Sequence, residues 1–231
     1  YRIGAKAATA TSNLGDLTIG STAGSKISAA TAAHVTVTST IQIDGALGSA
    51  SVVIATGTSA KAAAALINGK TADTGVTASA KTEFDLTAFT ASTSYSLNIT
   101  SNNTTAVAVS FTAGSSLATA DGFSAAINAI NDATSKTGVT AKINAAGNGI
   151  TLNNASGEDI TISINSGTGG LTIGGTATAS SASAVGTGEL VFDSDKSFAV
   201  TSNTNAGFLL ATTATASQLQ KTSQVDVSNV D

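Results

Sequence analysis

The sequence predicts a β-rich α+β fold, in which two copies of a hairpin-helix-strand module are inserted into a small β base domain. Many short runs alternate apolar and polar residues at period two, which is typical of half-buried strands; the run 159–164 is an example. Two segments, 58–69 and 119–130, instead follow the helical spacing. Alanine, serine, threonine and glycine make up 135 of the 231 residues, and Pro, Cys, Met and Trp are absent. Because small side chains bury little area, we expect stability to depend on many strand hydrogen bonds.

Residues 1–33 are predicted to form short edge strands joined by turns. They are rich in Gly, Ser, Thr and Ala, with brief apolar alternations such as Leu14-Gly15-Asp16-Leu17-Thr18-Ile19. The chain opens on Tyr1 and contains no Met, so we expect the natural N-terminus to lie elsewhere and this chain to be the middle of a longer protein. With residues 180–231, this region is assigned to a discontinuous base β domain.

The first module is assigned to residues 34–92. Its hairpin is predicted from the alternating residues 35–43 and the run 51–54, which an Asp44-Gly45 turn signal separates. A Thr58-Ser59 cap then opens an alanine-rich helix, and a strand should begin at Thr74.

This first helix is predicted to end at Gly69, which can take the left-handed conformation. Leu66 and Ile67 should be its buried residues. Each of the two helices is expected to cover one face of a small antiparallel sheet.

The second module, residues 93–179, repeats the same order. Its hairpin is predicted at 95–99 and 106–111, and its strand at 137–141. Thr119 or Asp121 should cap its helix, which should bury one apolar stripe that consists of Phe123, Ile127 and Ile130. Further strands are predicted at 148–152 and 159–164, the first led by an Asn-Gly turn signal.

The two modules are predicted to be an internal duplication. Residues 58–79 laid over 121–142 without gaps, an offset of 63, give ten identities in 22 positions, including the whole Thr-Gly-Val-Thr-Ala block. Alanine and threonine matches are expected often in this composition, but the Ile-Asn and Gly-Val matches at fixed spacing favour a true repeat.

The C-terminal part of the chain has weaker strand signals. Residues 165–188 are interpreted as a loose connection or weak strands. Three apolar runs follow, at 189–192, 197–200 and 206–210, and we expect them to pair with residues 1–33 and bring the chain ends together.

The composition argues against several function classes. Ten basic and fourteen acidic residues give a net charge of −4 and form no runs, which does not favour nucleic acid or an anionic membrane as a partner. No stretch approaches the roughly 20 apolar residues of a membrane span. The lack of cysteine excludes a disulfide framework, a thiolate nucleophile and a sulfur-bound metal.

The sequence offers few groups for catalysis. His34 is the one histidine, and no Ser or Cys nucleophile in a recognisable context accompanies it, so a solvent-facing strand position is favoured. Two carboxylate pairs are interpreted as ordinary solvated charges. Glu83 and Asp85 share a strand face, whereas Glu158 and Asp159 flank a turn.

Metal and cofactor sites are not predicted either. Asn153, Asn154, Glu158 and Asp159 could supply oxygen ligands to calcium, but the alternating acidic loop with its bidentate glutamate is missing. The glycines of 167–175 lack the spacing of a phosphate-binding loop. We therefore predict no catalytic, cofactor-binding or metal-ligating residue, no cofactor and no enzymatic activity.

Two segments carry a resemblance to a known family. Gly-Val-Thr-Ala followed by Asn148-Gly149-Ile150-Thr151-Leu152-Asn153-Asn154-Ala155-Ser156-Gly157-Glu158 resembles the flagellin IN motif, best over 137–158 and more weakly over 74–84. The tail, from 196–200 to 221–227, is similar to the stretch where flagellins return from their outer domains to the filament core, with 226–231 at that junction.

The resemblance implies a structural role in the bacterial flagellum, outside the cell. The chain would be the variable outer part of a flagellin, exposed on the filament, serving motility, setting its antigenic surface and touching neighbouring flagellin subunits. Flagellins are modified more often on Ser or Thr oxygens than on asparagine, so Ser/Thr-linked glycans are expected. The matches to the N-glycosylation pattern at Asn98, Asn102, Asn103 and Asn154 are expected by chance in this composition.

Two alternatives stay open. Hook-associated and filament cap proteins can carry the same motif, and the return sequence at 221–231 favours flagellin over them. An extracellular adhesin or carbohydrate-binding module would also use Ser/Thr-rich β units. Such modules usually present an aromatic platform, and this chain has no Trp and two Tyr.

Overall fold

The computed structural model describes residues 37–167 and 170–204, together with the strand segments 5–7, 17–19, 27–28 and 215–219. Its strands form three antiparallel sheets with few helices, so the predicted β-rich α+β class is confirmed. The predictions for His34, for the run 206–210 and for the tail 221–231 lie outside the described residues.

Short strands dominate the element order. The strands are β1 Ala5–Ala7, β2 Leu17–Ile19, β3 Ile27–Ser28, β4 Ser39–Asp44, β5 Ser49–Ile54, β6 Thr77–Thr87, β7 Ser94–Thr100, β8 Val107–Thr112, β9 Thr140–Ile143, β10 Gly149–Asn154, β11 Ile160–Gly167, β12 Leu171–Ile173, β13 Thr176–Thr178, β14 Ser183–Gly186, β15 Glu189–Asp193, β16 Ala199–Ser202 and β17 Thr215–Leu219. The helices are α1 Ala60–Asn68, α2 Thr71–Thr74, a 3₁₀ turn Ala120–Phe123, α3 Ser124–Asp132 and α4 Thr134–Thr137.

The three sheets mix strands from distant parts of the chain. The first sheet has the order β1-β17-β16-β4-β5, and the third has the order β3-β14-β11-β7-β8. The second sheet has the order β13-β12-β6-β10-β9, and its long strand β6 also pairs with β15, which in turn pairs with β2. Both predicted hairpins are confirmed, as β4 with β5 and β7 with β8.

The expected pairing of N-terminal with C-terminal strands is confirmed in part. The run 189–192 lies in β15 and pairs with β2, but the run 197–200 leads into β16, which lies between β17 and β4 and not beside residues 1–33. β1 and β17 are antiparallel, with Ala5 opposite Leu219 and Ala7 opposite Ser217. β2 pairs with β15 in the same sense. An antiparallel pair brings the residue before its first strand next to the residue after its second, so the chain enters and leaves these sheets side by side.

Two hydrophobic cores lie between the sheets. The α1 core gathers residues of β4, β5, α1, β15 and β16, with Ile41, Ile67 and Phe192 fully buried. The α3 core gathers residues of β7, β8, β10, β11, β12 and α3, with Leu97 and Ile130 fully buried.

Strand β6 serves both cores. Its N-terminal part contributes Ala78 to the α1 core, and its C-terminal part contributes Phe84 and Leu86 to the α3 core. The division of the chain into 1–33 with 180–231, 34–92 and 93–179 stays a prediction, and Leu190 and Val200, from the predicted base, pack in the α1 core.

The buried faces of the helices differ in part from expectation. Ile67, Phe123 and Ile130 are buried, which confirms three of the predictions, and Ile127 is half-buried. Leu66 is 47% exposed, so the prediction of its burial is wrong. The buried face of α1 runs through Ala60, Ala63, Ala64 and Ile67, and the residue before Ile67 lies about 100° away around the helix.

The helices lie between sheets rather than on one. α1 contacts β6, β15 and β5, and α3 contacts β8 and β9, so each helix touches strands of two different sheets. The prediction that each helix covers one small sheet is therefore wrong, because the hairpin and the following strand of a module belong to different sheets.

The predicted ends of α1 are confirmed, since it ends at Asn68 with Gly69 as its C-cap, but the predicted conformation of this glycine is wrong. Ser59 is the N-cap of α1, as predicted, and its Oγ accepts from the N–H of Ala62 at 3.3 Å. Gly69 has φ −62° and is not left-handed; the chain adds α2, and Gly75, with φ 75°, is the left-handed stop. The strand predicted to begin at Thr74 begins at Thr77, because Thr74 closes α2.

In the second module, too, the strand begins later in the chain than predicted. Thr119 precedes the 3₁₀ turn, α3 begins at Ser124, and α4 runs to Thr137 before left-handed Gly138. The strand predicted from 137 therefore begins at Thr140.

Candidate functional site

The repeated block forms the same helix-to-strand corner in both modules. In the first corner, the Asn68 side chain donates to the carbonyl of Ala78 at 2.8 Å and accepts from the same residue's N–H at 2.7 Å. In the second, Asn131 does the same with Ala141 at 3.0 and 2.7 Å. Asn131 and Ala141 each lie 63 residues after their counterparts in the first corner, which is the offset of the sequence repeat. The two modules therefore share individual hydrogen bonds as well as sequence.

Threonines complete each corner. Thr71 Oγ1 donates to the Val76 carbonyl at 2.8 Å, and its counterpart Thr134 donates to the Val139 carbonyl at 2.7 Å. The buried Thr137 donates to a helix carbonyl at 3.1 Å and accepts from the Val139 N–H at 3.2 Å. These polar side chains form hydrogen bonds with the backbone of their own module, so their role is structural.

The region that best resembles the IN motif ends in a network of amides. Asn154 is 1% exposed, and its Nδ2 donates to Ser101 Oγ at 2.8 Å and Asn102 Oδ1 at 2.9 Å. Its Oδ1 accepts from the Ser156 N–H at 2.9 Å. Because both ends of this amide already have protein partners, Asn154 is not placed as a free calcium ligand.

The first carboxylate pair lies on one strand face, as predicted, and each member has its own partner. Glu83 lies 4.0 Å from Lys142 Nζ. Asp85 accepts from Thr151 Oγ1 at 2.6 Å and from Asn144 Nδ2 at 3.3 Å. The pair therefore braces the ladder between β6, β9 and β10.

The second carboxylate pair lies where the β10–β11 turn, residues 155–159, docks onto α1. The Lys61 N–H donates to the Gly157 carbonyl at 3.0 Å, which satisfies a donor in the first turn of the helix. Lys61 Nζ lies 3.1 Å from Glu158 Oε1, and Thr82 Oγ1 donates to the Glu158 carbonyl at 2.7 Å. We call this contact the seam, since the turn comes from the α3 core and α1 from the α1 core.

Asp159 is not the solvated charge that the sequence suggested. Its Oδ1 is enclosed and has no hydrogen-bond partner, while its carboxylate accepts from the backbone N–H of Gly188. Burial, and secondarily the negative charge of Glu158, raises the pKa of Asp159 to about 7, and the Gly188 hydrogen bond opposes the rise. Period-two spacing puts Ile160 in the core but says nothing of the residue before it, so this carboxyl could not be singled out from sequence.

The glycine-rich stretch contains strands. β12 and β13 form a hairpin whose turn is Gly174-Gly175, both with positive φ, so the weak-strand alternative for 165–188 is confirmed. Leu171 and Ile173 of this hairpin are buried in the α3 core.

The N-glycosylation patterns are engaged in local structure. Asn103 Nδ2 donates to the carbonyls of Ile99 at 3.1 Å and Thr105 at 2.6 Å, and Asn98 Nδ2 donates to Asn165 Oδ1 at 2.9 Å. Within the described ranges, no group of three or more His, Cys, Asp or Glu residues is arranged to hold a metal. No helix among the described residues is both long and apolar enough to cross a membrane.

Comparisons with known proteins give little. No family model matches the chain, and no curated protein matches it. Among solved structures, the chain is similar to the flagellar cap protein FliD from Helicobacter pylori, with 11% identity and a TM-score of 0.28, over 89% of this chain and 81% of that one. A TM-score of this size is below that of chains sharing a fold, so the likeness assigns neither fold nor function here.

Proposed function

We propose that this chain is the outer, solvent-facing part of a bacterial flagellar filament subunit, with a structural and non-catalytic role. The pairing of β1 with β17 carries the proposal. Ala5 and Leu219 lie opposite each other, so segments before and after this pair would leave from the same end of the same sheet. A domain that projects from a filament between two polymerising regions needs this geometry.

The two IN-like segments support the same conclusion. At the N-terminal end of each segment, backbone carbonyls accept hydrogen bonds from an Asn and a Thr side chain of the preceding helices, so this part of the motif is explained by folding and needs no ligand. The duplication doubles the length of the projecting part without adding a chemical group.

The engagement of the carboxylates supports a role without catalysis. Three of the carboxylates considered in the sequence analysis, Glu83, Asp85 and Glu158, form ion pairs or hydrogen bonds with neighbouring side chains. The surface would meet neighbouring subunits along the filament and carry Ser- or Thr-linked glycans, outside the cell.

The location of the chain on the producing cell tests the proposal. Antibodies raised against residues 1–231 and selected on the folded chain are applied with gold to intact motile cells. We expect gold along the whole filament, and its absence from cells lacking the parent gene is the control.

The alternatives give different images. Gold only at the filament tip or at the hook junction would replace the proposal with a cap or hook-associated role. Gold on the cell body, away from flagella, would replace it with an adhesin role.

A further inference from the structure

The seam between the two cores contains a titratable group in an unusual setting. Asp159 is the last residue of the turn that docks on α1, and its Oδ1 is enclosed without a partner. A buried carboxylate oxygen without a donor is costly when ionised and much less so when protonated.

The backbone on both sides of Asp159 is packed closely against its neighbours. A Cβ on Gly188, whose N–H reaches Asp159, would lie 2.6 Å from Thr82 Oγ1 and 2.8 Å from the Ala60 Cβ. Gly157 has φ 79°, and a Cβ there would overlap Ala80. The backbone segments around this carboxyl are therefore in close contact across the seam.

The charges around Asp159 disfavour its ionised form. Glu158 precedes it, and the Glu158 charge acts on the pKa of Asp159 in the raising direction. The cation on α1, Lys61, is bound to Glu158 instead.

The other charged side chains belong to neighbouring strands. On β6 they are Lys81, Glu83 and Asp85, and on β15 they are Asp193 and Glu189, which lies opposite Lys81 in the ladder. Strands β7 and β14, which pair with β11, carry no charged residue.

We propose that the seam is a proton-controlled latch: with Asp159 protonated the β10–β11 turn stays docked on α1, and with Asp159 ionised the turn separates from it. The proton exchanges with solvent, and no other group needs to change. When closed, the latch adds a contact between the α1 core and the α3 core, which strand β6 also joins. The inference does not depend on the proposed function.

The amide of Lys61 reports the latch, because its bond to the Gly157 carbonyl crosses the seam. The amide of Ala63, bonded to Ser59 inside the helix start, is the internal reference. Hydrogen exchange of the two amides is followed by NMR in the full chain between about pH 5 and pH 8. Each measured rate is divided by the exchange rate of the same amide in an unstructured chain at that pH. Linkage predicts that the protection of Lys61 falls by up to about tenfold per pH unit as Asp159 ionises, while Ala63 changes little.

Asp159→Asn keeps the shape and removes the charge, so protection of Lys61 in this variant should not depend on pH. Asp132→Asn, at an exposed position, is the matched control and should behave as wild type. Protection of Lys61 in wild type that is constant with pH, or a pH dependence that survives Asp159→Asn, would overturn the latch. If Asp159→Asn does not fold, the Asp159 carboxyl carbon is titrated by NMR in the wild-type chain. Titration below about pH 5 overturns the proposal, and titration near neutrality together with the wild-type change at Lys61 supports it.

Discussion

Asn131 binds Ala141 through both polar atoms of its side-chain amide, at 3.0 Å to the carbonyl and 2.7 Å from the N–H. Such a bond pair mimics a ladder partner for the first strand residues after the corner. It ties the end of α3 to β9 across ten residues of chain. Asn68 and Ala78 repeat it in the first module.

Replacing Asn131 by alanine should destabilise the protein by about 1–3 kcal/mol, since two hydrogen bonds to the backbone are lost. Asn128→Ala, at an exposed position of the same helix, should change stability by under about 0.5 kcal/mol or raise it slightly, because alanine is the better helix former. Urea unfolding followed by circular dichroism measures both. Equal effects of the two changes would show that the Asn131 bonds do not matter.

Ile130→Ala should cost about 2–5 kcal/mol, because this residue is 0% exposed and its removal leaves a cavity in the α3 core. Ile127→Ala, one turn earlier and half-buried, should cost clearly less. Both are compared by the same urea titration. A larger loss at Ile127 than at Ile130 would contradict the described face of α3.

Gly138→Ala should be more destabilising than Gly75→Ala, although the two glycines are equivalent in the repeat. Both have positive φ, 71° and 75°, so each change costs roughly 1–2 kcal/mol of backbone strain. At Gly138 the new Cβ would also overlap the Asn102 side chain, whereas at Gly75 it would meet the Leu47 side chain at 3.3 Å. Thermal unfolding midpoints measure the difference, and equal midpoints would mean that Asn102 moves aside without cost.

Asp159→Asn should stabilise the protein at about pH 8 and leave it nearly unchanged at about pH 4. The pKa of Asp159 is raised in the folded state to about 7, from an ordinary value of 3.8. Well below the ordinary value of 3.8 both states hold the proton, and the favourable contribution of the neutral group is fully present. As pH rises to about 7, the unfolded state loses its proton first, so the wild type loses stability that the variant keeps. The urea midpoints of both proteins at the two pH values test this, and a difference that does not change with pH would contradict it.

Much of the local structure could be predicted from the sequence. Period-two alternation predicted β4, β7, β8 and β11, because a strand with one buried face needs an apolar residue at every second position. The block Thr-Gly-Val-Thr-Ala identified the duplication because the left-handed glycine and the capping threonine are required by the corner itself. The class of fold followed from these elements.

The sequence alone determined the two hairpins, the duplicated corner and the class of fold, because the hairpins and the corner depend on contacts between residues near one another in the chain. Tertiary structure decided the rest. The exposure of Leu66, the sharing of β6 between two cores and the enclosure of Asp159 each depend on segments brought together from distant positions. Asp159 looks like any turn carboxylate in sequence, and the tertiary structure encloses its Oδ1 and brings the N–H of Gly188, 29 residues later, to the carboxylate. Burial and electrostatics are properties of the packed chain, so no local pattern could encode them.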